Sequence, residues 1–266
     1  MKQMIQLIGI PFDANSSFLK GAAYAPARIR LADQEGAANN YSESGLAVVK
    51  GEIYHDNGDL KFETTQAANA YQIINESIAK LVKTGDKVLS LGGDHSISFP
   101  IISAFAAHYE SLNVLHLDAH ADLYDNFDDN PYSHASPFAR IMEKGLVRSL
   151  TQVGIRTFNT HQRTQVERYQ IRVVEMKDFS YDFLQSLEAP LYISLDLDVL
   201  DPAFAPGVSH HEPGGMSTRQ LLETIQRIPV EIVGADIVEY NPVRDVHDMT
   251  AMLAYKLMKE LMAKMV

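Results

Sequence analysis

The sequence predicts an α/β fold, a mostly parallel sheet covered by helices on both faces. Three observations carry that expectation. Strand-like and helix-like segments alternate along nearly the whole chain, as in proteins built from β-α units. Three short runs rich in Val, Leu or Ile (residues 87–91, 113–117 and 191–195) read as buried strands. Each leads into ionisable residues, and open parallel sheets bind ligands beyond the carboxyl ends of their strands.

Taken in order, residues 4–10 read as the first strand and 25–32 as a short helix opened by Pro26. Residues 63–83 form a long amphipathic helix that ends before Gly85. A strand at 88–91 follows, and Ser96 offers a cap for the next helix. Residues 114–117 are a strand, and 137–144 a helix stopped by Gly145. Further strands fall at 150–155, 172–174 and 192–197. Residues 217–227 read as a helix capped by Ser217, 231–238 as the last strand and 248–265 as the closing helix. Two long irregular stretches, 124–136 and 198–216, are natural walls for a cleft.

No Gly/Ser linker, repeat or low-complexity block interrupts this pattern, so residues 1–266 are expected to form a single domain. A hydrophobic content of 46% is enough for a large core. The net charge of −11 argues against nucleic acid and anionic membranes as partners. With no cysteine, disulfides and thiolate ligands are excluded. The N-terminus reads as a strand without a signal-peptide cleavage region, and no apolar run reaches transmembrane length. A soluble cytoplasmic protein is the resulting expectation.

The chemistry concentrates in Asp118-Ala-His120-Ala-Asp122 and Asp196-Leu-Asp198, with Gly92-Gly93-Asp94-His95 upstream. In extended backbone, residues two apart project to the same face, so Asp118, His120 and Asp122 can converge, as can Asp196 and Asp198. With His95, two imidazoles and four carboxylates gather where three strands end. That much negative charge repels itself unless cations neutralise it, which predicts a two-metal site. A lone His after a strand is ordinarily structural, and a lone Asp ordinarily caps a helix, a role open to Asp94. The full set at buried strand ends is not explained that way. Oxygen donors with two imidazoles suit Mn²⁺ ahead of Zn²⁺, Co²⁺ or Fe²⁺. No phosphate-binding loop motif is present.

These motifs resemble those of the ureohydrolases, the family of arginase and agmatinase. The resemblance rests on Gly92-Gly93-Asp94-His95-Ser96, on Leu117 through Asp122, and on Ser194 through Pro202. It continues through Ala205-Pro206-Gly207 and Gly234 through Pro242. Tyr132 through Glu143 and Pro11 through Phe18 look most like the plant-type arginases. The resemblance implies a three-layer αβα fold, shared with deacetylases, around a binuclear manganese centre. His95, Asp118 and Asp122 would hold one Mn²⁺, with His120, Asp118, Asp196 and Asp198 supplying the rest. Asp118 and either Asp198 or Asp196 would bridge the two ions.

It further implies that Glu239 binds the guanidinium and that His134 shuttles a proton to the departing amine. Asp122 joins these two among the catalytic residues. Ala135 stands where many members have Gly, and His210 aligns where animal arginases carry Thr. In the loop 124–130, Asn126 and Asn130 are candidates for a substrate carboxylate, although the segment has no Arg or Lys. Hydrolysis of L-arginine to L-ornithine and urea is the leading expectation, with agmatine or another guanidino compound as alternatives. A deacetylase-type hydrolase would use one zinc ion, and a non-catalytic scaffold would need no turnover. Family members assemble as trimers or hexamers, and apolar residues of the last helix would be compatible with such an interface.

Overall fold

A computed structural model describes residues 3–34, 36, 38–63 and 66–266. Among them, eight strands form one sheet: β1 (Ile5–Gly9), β2 (Tyr54–Asp59), β3 (Lys87–Leu91), β4 (Asn113–Leu117), β5 (Ser149–Ile155), β6 (Arg172–Glu175), β7 (Leu191–Asp196) and β8 (Ile232–Val238). All pairings are parallel, in the order β2-β1-β3-β8-β7-β4-β5-β6. Seven α-helices are interspersed: α1 (Ala25–Gln34), α2 (Ala67–Val82), α3 (Ser98–Ala106), α4 (Pro137–Glu143), α5 (Thr160–Tyr169), α6 (Thr218–Arg227) and α7 (Met249–Met265).

Strand side chains alternate between faces, and here both faces are apolar. Leu89, Leu91, Leu115, Leu117, Ile193 and Leu195 join the core beneath α1, α6 and α7. Val88, Val114 and Tyr192 point the other way, into the core beneath α2, α3 and α4. Helices therefore cover both faces, and the three-layer αβα expectation holds. Each fully buried aliphatic or aromatic side chain contributes about 1.5–3 kcal/mol, so the two cores account for much of the stability.

The second face carries one exception. Ser90, Asp236, Ser194, His116 and Gln152 lie side by side on adjacent strands β3, β8, β7, β4 and β5. All five are fully buried. This polar row crosses an otherwise apolar sheet one pleat below the carboxyl ends of the strands.

The structure differs from the sequence reading at a few elements. Strand β2 is polar (Tyr-His-Asp-Asn-Gly-Asp) because it is an edge strand with half its side chains toward solvent. Helix α5 is also unanticipated; it has little apolar content, but Asn159 and Gln162 form a capping box at its start. Helix α2 begins at Ala67, later than expected, while residues 64 and 65 lie outside the described residues. Asp94, not Ser96, caps the turn after β3. The closing helix is mostly core, with Leu253, Leu257, Met258, Leu261 and Met262 of α7 buried, and its exposed apolar surface is confined to its start, at Met249. No helix among the described residues is long and apolar enough to cross a membrane.

Candidate active site

The site is assembled where the central strands end. After β3 the chain turns through Gly92 and Gly93, and a Cβ on Gly93 would collide with the carbonyl of Phe12. Glycine there lets the N-terminal loop pass against the strand end. Asp94 then accepts hydrogen bonds from Ser96 N at 3.1 Å and from Asn15 N at 2.9 Å. One carboxylate thus caps the short helix His95–Ile97 and anchors the loop after β1.

Capping aims His95 inward. Its Nδ1 lies 3.1 Å from a carboxylate oxygen of each of Asp118, Asp122 and Asp196. Yet this buried nitrogen makes no properly directed hydrogen bond. The other nitrogen, Nε2, is 2.9 Å from Ser194 Oγ. Ser194 in turn donates to Asp236 Oδ1 at 2.8 Å, while Tyr192 and Ser98 hydroxyls donate to Oδ2 at 2.8 and 3.0 Å. Ser194 has spent its proton on Asp236, so it accepts from His95 Nε2–H. This leaves the Nδ1 lone pair facing three carboxylate oxygens, an arrangement that calls for a cation between them. Burial opposes charge on His95, but the carboxylates outweigh it and hold the imidazole well above the usual histidine range.

A second group adjoins the first. His120 Nδ1 lies 2.9 Å from Asp198 Oδ2 and 3.4 Å from Asp118 Oδ1. Among the described residues, two clusters of ligand atoms are close enough to hold a metal ion: His95, His116, Asp118 and Asp122, and Asp118, His120 and Asp198, with Asp118 in both. Burial, then the charges of Asp198 and Asp118, push the Asp196 carboxyl well up. Burial and Asp118 likewise raise Asp198 to about 6. Carboxylates that resist ionisation for want of positive charge fit a site designed around cations. Asp122 is itself held in the left-handed backbone region at φ 51°, a strained conformation that is kept at functional positions.

His116 was missed by the sequence reading. It stands two residues before Asp118 on the same strand face, so the motif is in effect His-x-Asp-x-His-x-Asp. Its Nδ1 accepts from Gln152 Nε2 at 2.9 Å and its Nε2–H donates to Asp118 Oδ2 at 2.7 Å. Gln152 also donates to Ala121 O at 2.6 Å, which fixes the amide orientation. Burial keeps the His116 imidazole low and neutral. Both nitrogens are engaged, so His116 orients Asp118 from below. The signal available in sequence was the solitary polar residue two positions before each acidic strand end, His116 before Asp118 and Ser194 before Asp196.

Opposite the His/Asp group, Glu239 follows β8 with its backbone at φ 63°. Its Oε1 accepts from His95 N at 2.9 Å and from His134 Nδ1 at 2.8 Å. Burial alone would raise this carboxyl, but the His134 cation outweighs it and pulls it down. Reciprocally, burial disfavours charge on His134, while Glu239 overcomes it and lifts the imidazole to about 9. One cavity takes in His120, Asp122, Asp196, Asp198, His134 and Glu239. Tyr124, Phe127, Gln162 and Glu212 are among its other walls, and among the described residues neither Lys nor Arg lines it. His210 also lines it, its ring 5.2 Å from that of His134; burial and His134 keep it neutral.

All six expected metal ligands, Glu239 and His134 therefore converge, whereas Asn126 and Asn130 do not line the cavity. Asn126 is exposed, and Asn130 turns its side chain to Tyr132 N at 2.9 Å and toward Asn15. The long loop instead offers Tyr124 and Phe127.

The family model described as Arginase family matches residues 3–264. Arginase 1, mitochondrial, of Arabidopsis thaliana is 46% identical over 279 residues, covering 99% of this chain and 81% of that protein. Arginase 2, chloroplastic/mitochondrial, of the same plant is 44% identical over 280 residues, with 99% and 81% covered. The structure of arginase from Medicago truncatula superposes with a TM-score of 0.92 at 43% identity, over 99% of this chain and 87% of that one. The organellar names of these relatives overturn the cytoplasmic expectation. Charge and hydropathy report solubility, which proteins of any aqueous compartment share, so they carry no address.

Proposed function

The chain belongs to the arginase family and is an amidinohydrolase, and on that premise we propose that it binds two Mn²⁺ ions and converts L-arginine to L-ornithine and urea. The observation that carries this is the sharing of one cavity by the cation-demanding His/Asp group and the Glu239–His134 pair. His95, Asp118, Asp122 and Asp196 would hold one ion, and His120, Asp118, Asp196 and Asp198 the other. Oxygen and imidazole donors without thiolate suit Mn²⁺. Bound there, the ions would supply Lewis-acid activation of a water molecule at neutral pH.

The protein's own residues do the rest. Glu239 has Oε1 engaged by His134 and His95 N; Oε2 serves a guanidinium N–H, a charge-assisted contact that fixes the planar group. Burial around Glu239 strengthens that contact and keeps bulk water from competing for it. His134, held cationic by Glu239, is the proton donor for the amine as the C–N bond breaks. The plant arginases support arginine as substrate. Agmatine is the second reading, favoured by the lack of any Lys or Arg in the cavity wall to pair a carboxylate. We further take the chain as a single catalytic domain that assembles as a trimer or hexamer, which light scattering tests.

The deciding experiment is urea release from L-arginine, agmatine and 4-guanidinobutyrate by the Mn²⁺-treated protein. Arginine turnover upholds the proposal, and agmatine turnover alone replaces the substrate. Urea from none of them overturns the reading.

A further inference from the structure

The N-terminal stretch Pro11 through Phe18 has so far been given no chemical part, yet it contributes to the cavity wall beside His134. Asn15 O accepts from His134 N at 3.2 Å, and Asn15 N is tied to buried Asp94. The loop is therefore fastened directly against His134. Two residues on, Ser17 Oγ lies 2.8 Å from His134 Nε2 and also lines the cavity. Since Nδ1 is committed to Glu239, Nε2 is the nitrogen left to release a proton, and the Ser17 hydroxyl occupies its hydrogen-bonding direction.

We propose that Ser17 is a catalytic residue whose hydroxyl relays the proton from His134 Nε2 to the amine leaving the guanidino carbon. The inference rests on the reading of the site as a guanidino hydrolase. As the C–N bond breaks, its electron pair goes to nitrogen. That nitrogen takes the Ser17 hydroxyl proton while Ser17 Oγ receives the proton of His134 Nε2. The imidazolium becomes a neutral imidazole, the amine becomes protonated, and Ser17 ends as it began. A cation at Nε2 supports this direction of transfer, because His134 titrates at about 9 in contact with Glu239.

The test compares Mn²⁺-loaded wild type, Ser17→Ala and Ser17→Thr on L-arginine and agmatine. For alanine the expected result is a kcat lowered roughly 10–100-fold on whichever of these the wild type accepts, with KM nearly unchanged. Threonine keeps the hydroxyl and restores most of the rate. A guanidinooxy substrate, whose departing nitrogen is less basic, loses less than the alkylguanidine does. An unchanged kcat in the alanine variant overturns the relay. So does a KM increase confined to arginine, which would make Ser17 a carboxylate contact, or a loss that threonine shares. If the wild type releases urea from no guanidino compound, the reading of the site falls first and the relay falls with it.

Discussion

Replacing Glu239 by Gln tests the electrostatic logic of the site most directly. The amide keeps the size of the side chain and removes the charge that faces His134 Nδ1 at 2.8 Å. With Glu239 the imidazole titrates at about 9, even though its burial works against charge. At pH 7.5 that leaves roughly 97% of His134 protonated. Without the carboxylate, burial dominates and the group titrates at or below its ordinary value, so about a tenth or less stays protonated at that pH. The sign follows: a proton donor with a raised pKa works up to the raised value, so the wild-type rate falls only above about 9, whereas the variant falls above roughly 6.5. Proton supply alone predicts at least a tenfold loss of kcat at pH 7.5. Loss of the proposed charge-assisted contact to the guanidinium lowers kcat/KM further, by a factor equivalent to about 1.5–3 kcal/mol. Urea release followed from pH 5.5 to 9.5 separates the two effects. A variant whose alkaline limb stays where the wild type's lies would refute the claim that Glu239 holds the proton on His134.

Ser194→Ala removes the acceptor of His95 Nε2–H while leaving every metal ligand in place. Mn²⁺ affinity measured by titration calorimetry should weaken about 10–100-fold, with an unchanged circular dichroism spectrum. Chelation should lower thermal stability: metal at about 100 times its Kd contributes roughly 2.7 kcal/mol, or some 5–10 °C in Tm for a chain of this size. A Tm indifferent to Mn²⁺ and EDTA would count against the site being cation-dependent. Gly93→Ala sets a methyl group against the Phe12 carbonyl, so denaturant unfolding should show a loss of about 2–4 kcal/mol.

The central strands were legible because they are buried on both faces and so carry apolar runs that end in charge. The clustering of the expected metal ligands was legible because the two-residue repeat of a strand leaves its mark as Asp-x-His-x-Asp. What escaped was written in weaker signals. Edge strand β2 buries little and reads as polar loop, and α5 turns polar Gln162 and Gln165 inward beside the partly buried Val166 and Tyr169, so it shows no apolar stripe. His116, Gln152 and Asp236 escaped because a single polar residue in an apolar run has no local meaning. Their purpose emerges when the sheet register sets them side by side. Asn126 and Asn130 were chosen for side-chain chemistry alone, and loop conformation, which sequence does not specify, directs Tyr124 and Phe127 into the cavity instead.

The sheet order has a consequence for how the protein comes into being. The last strand in the sequence, β8, lies between β3 and β7 and joins the two halves of the sheet. A growing chain that has emerged only as far as Asp198 already possesses every residue expected to grip metal. It has nevertheless no strand to hold its His95 half in register with its Asp118 half. Contacts so distant along the chain form late. Metal binding at the proposed site would therefore wait for β8, which contributes none of the expected ligands and yet would set its timing.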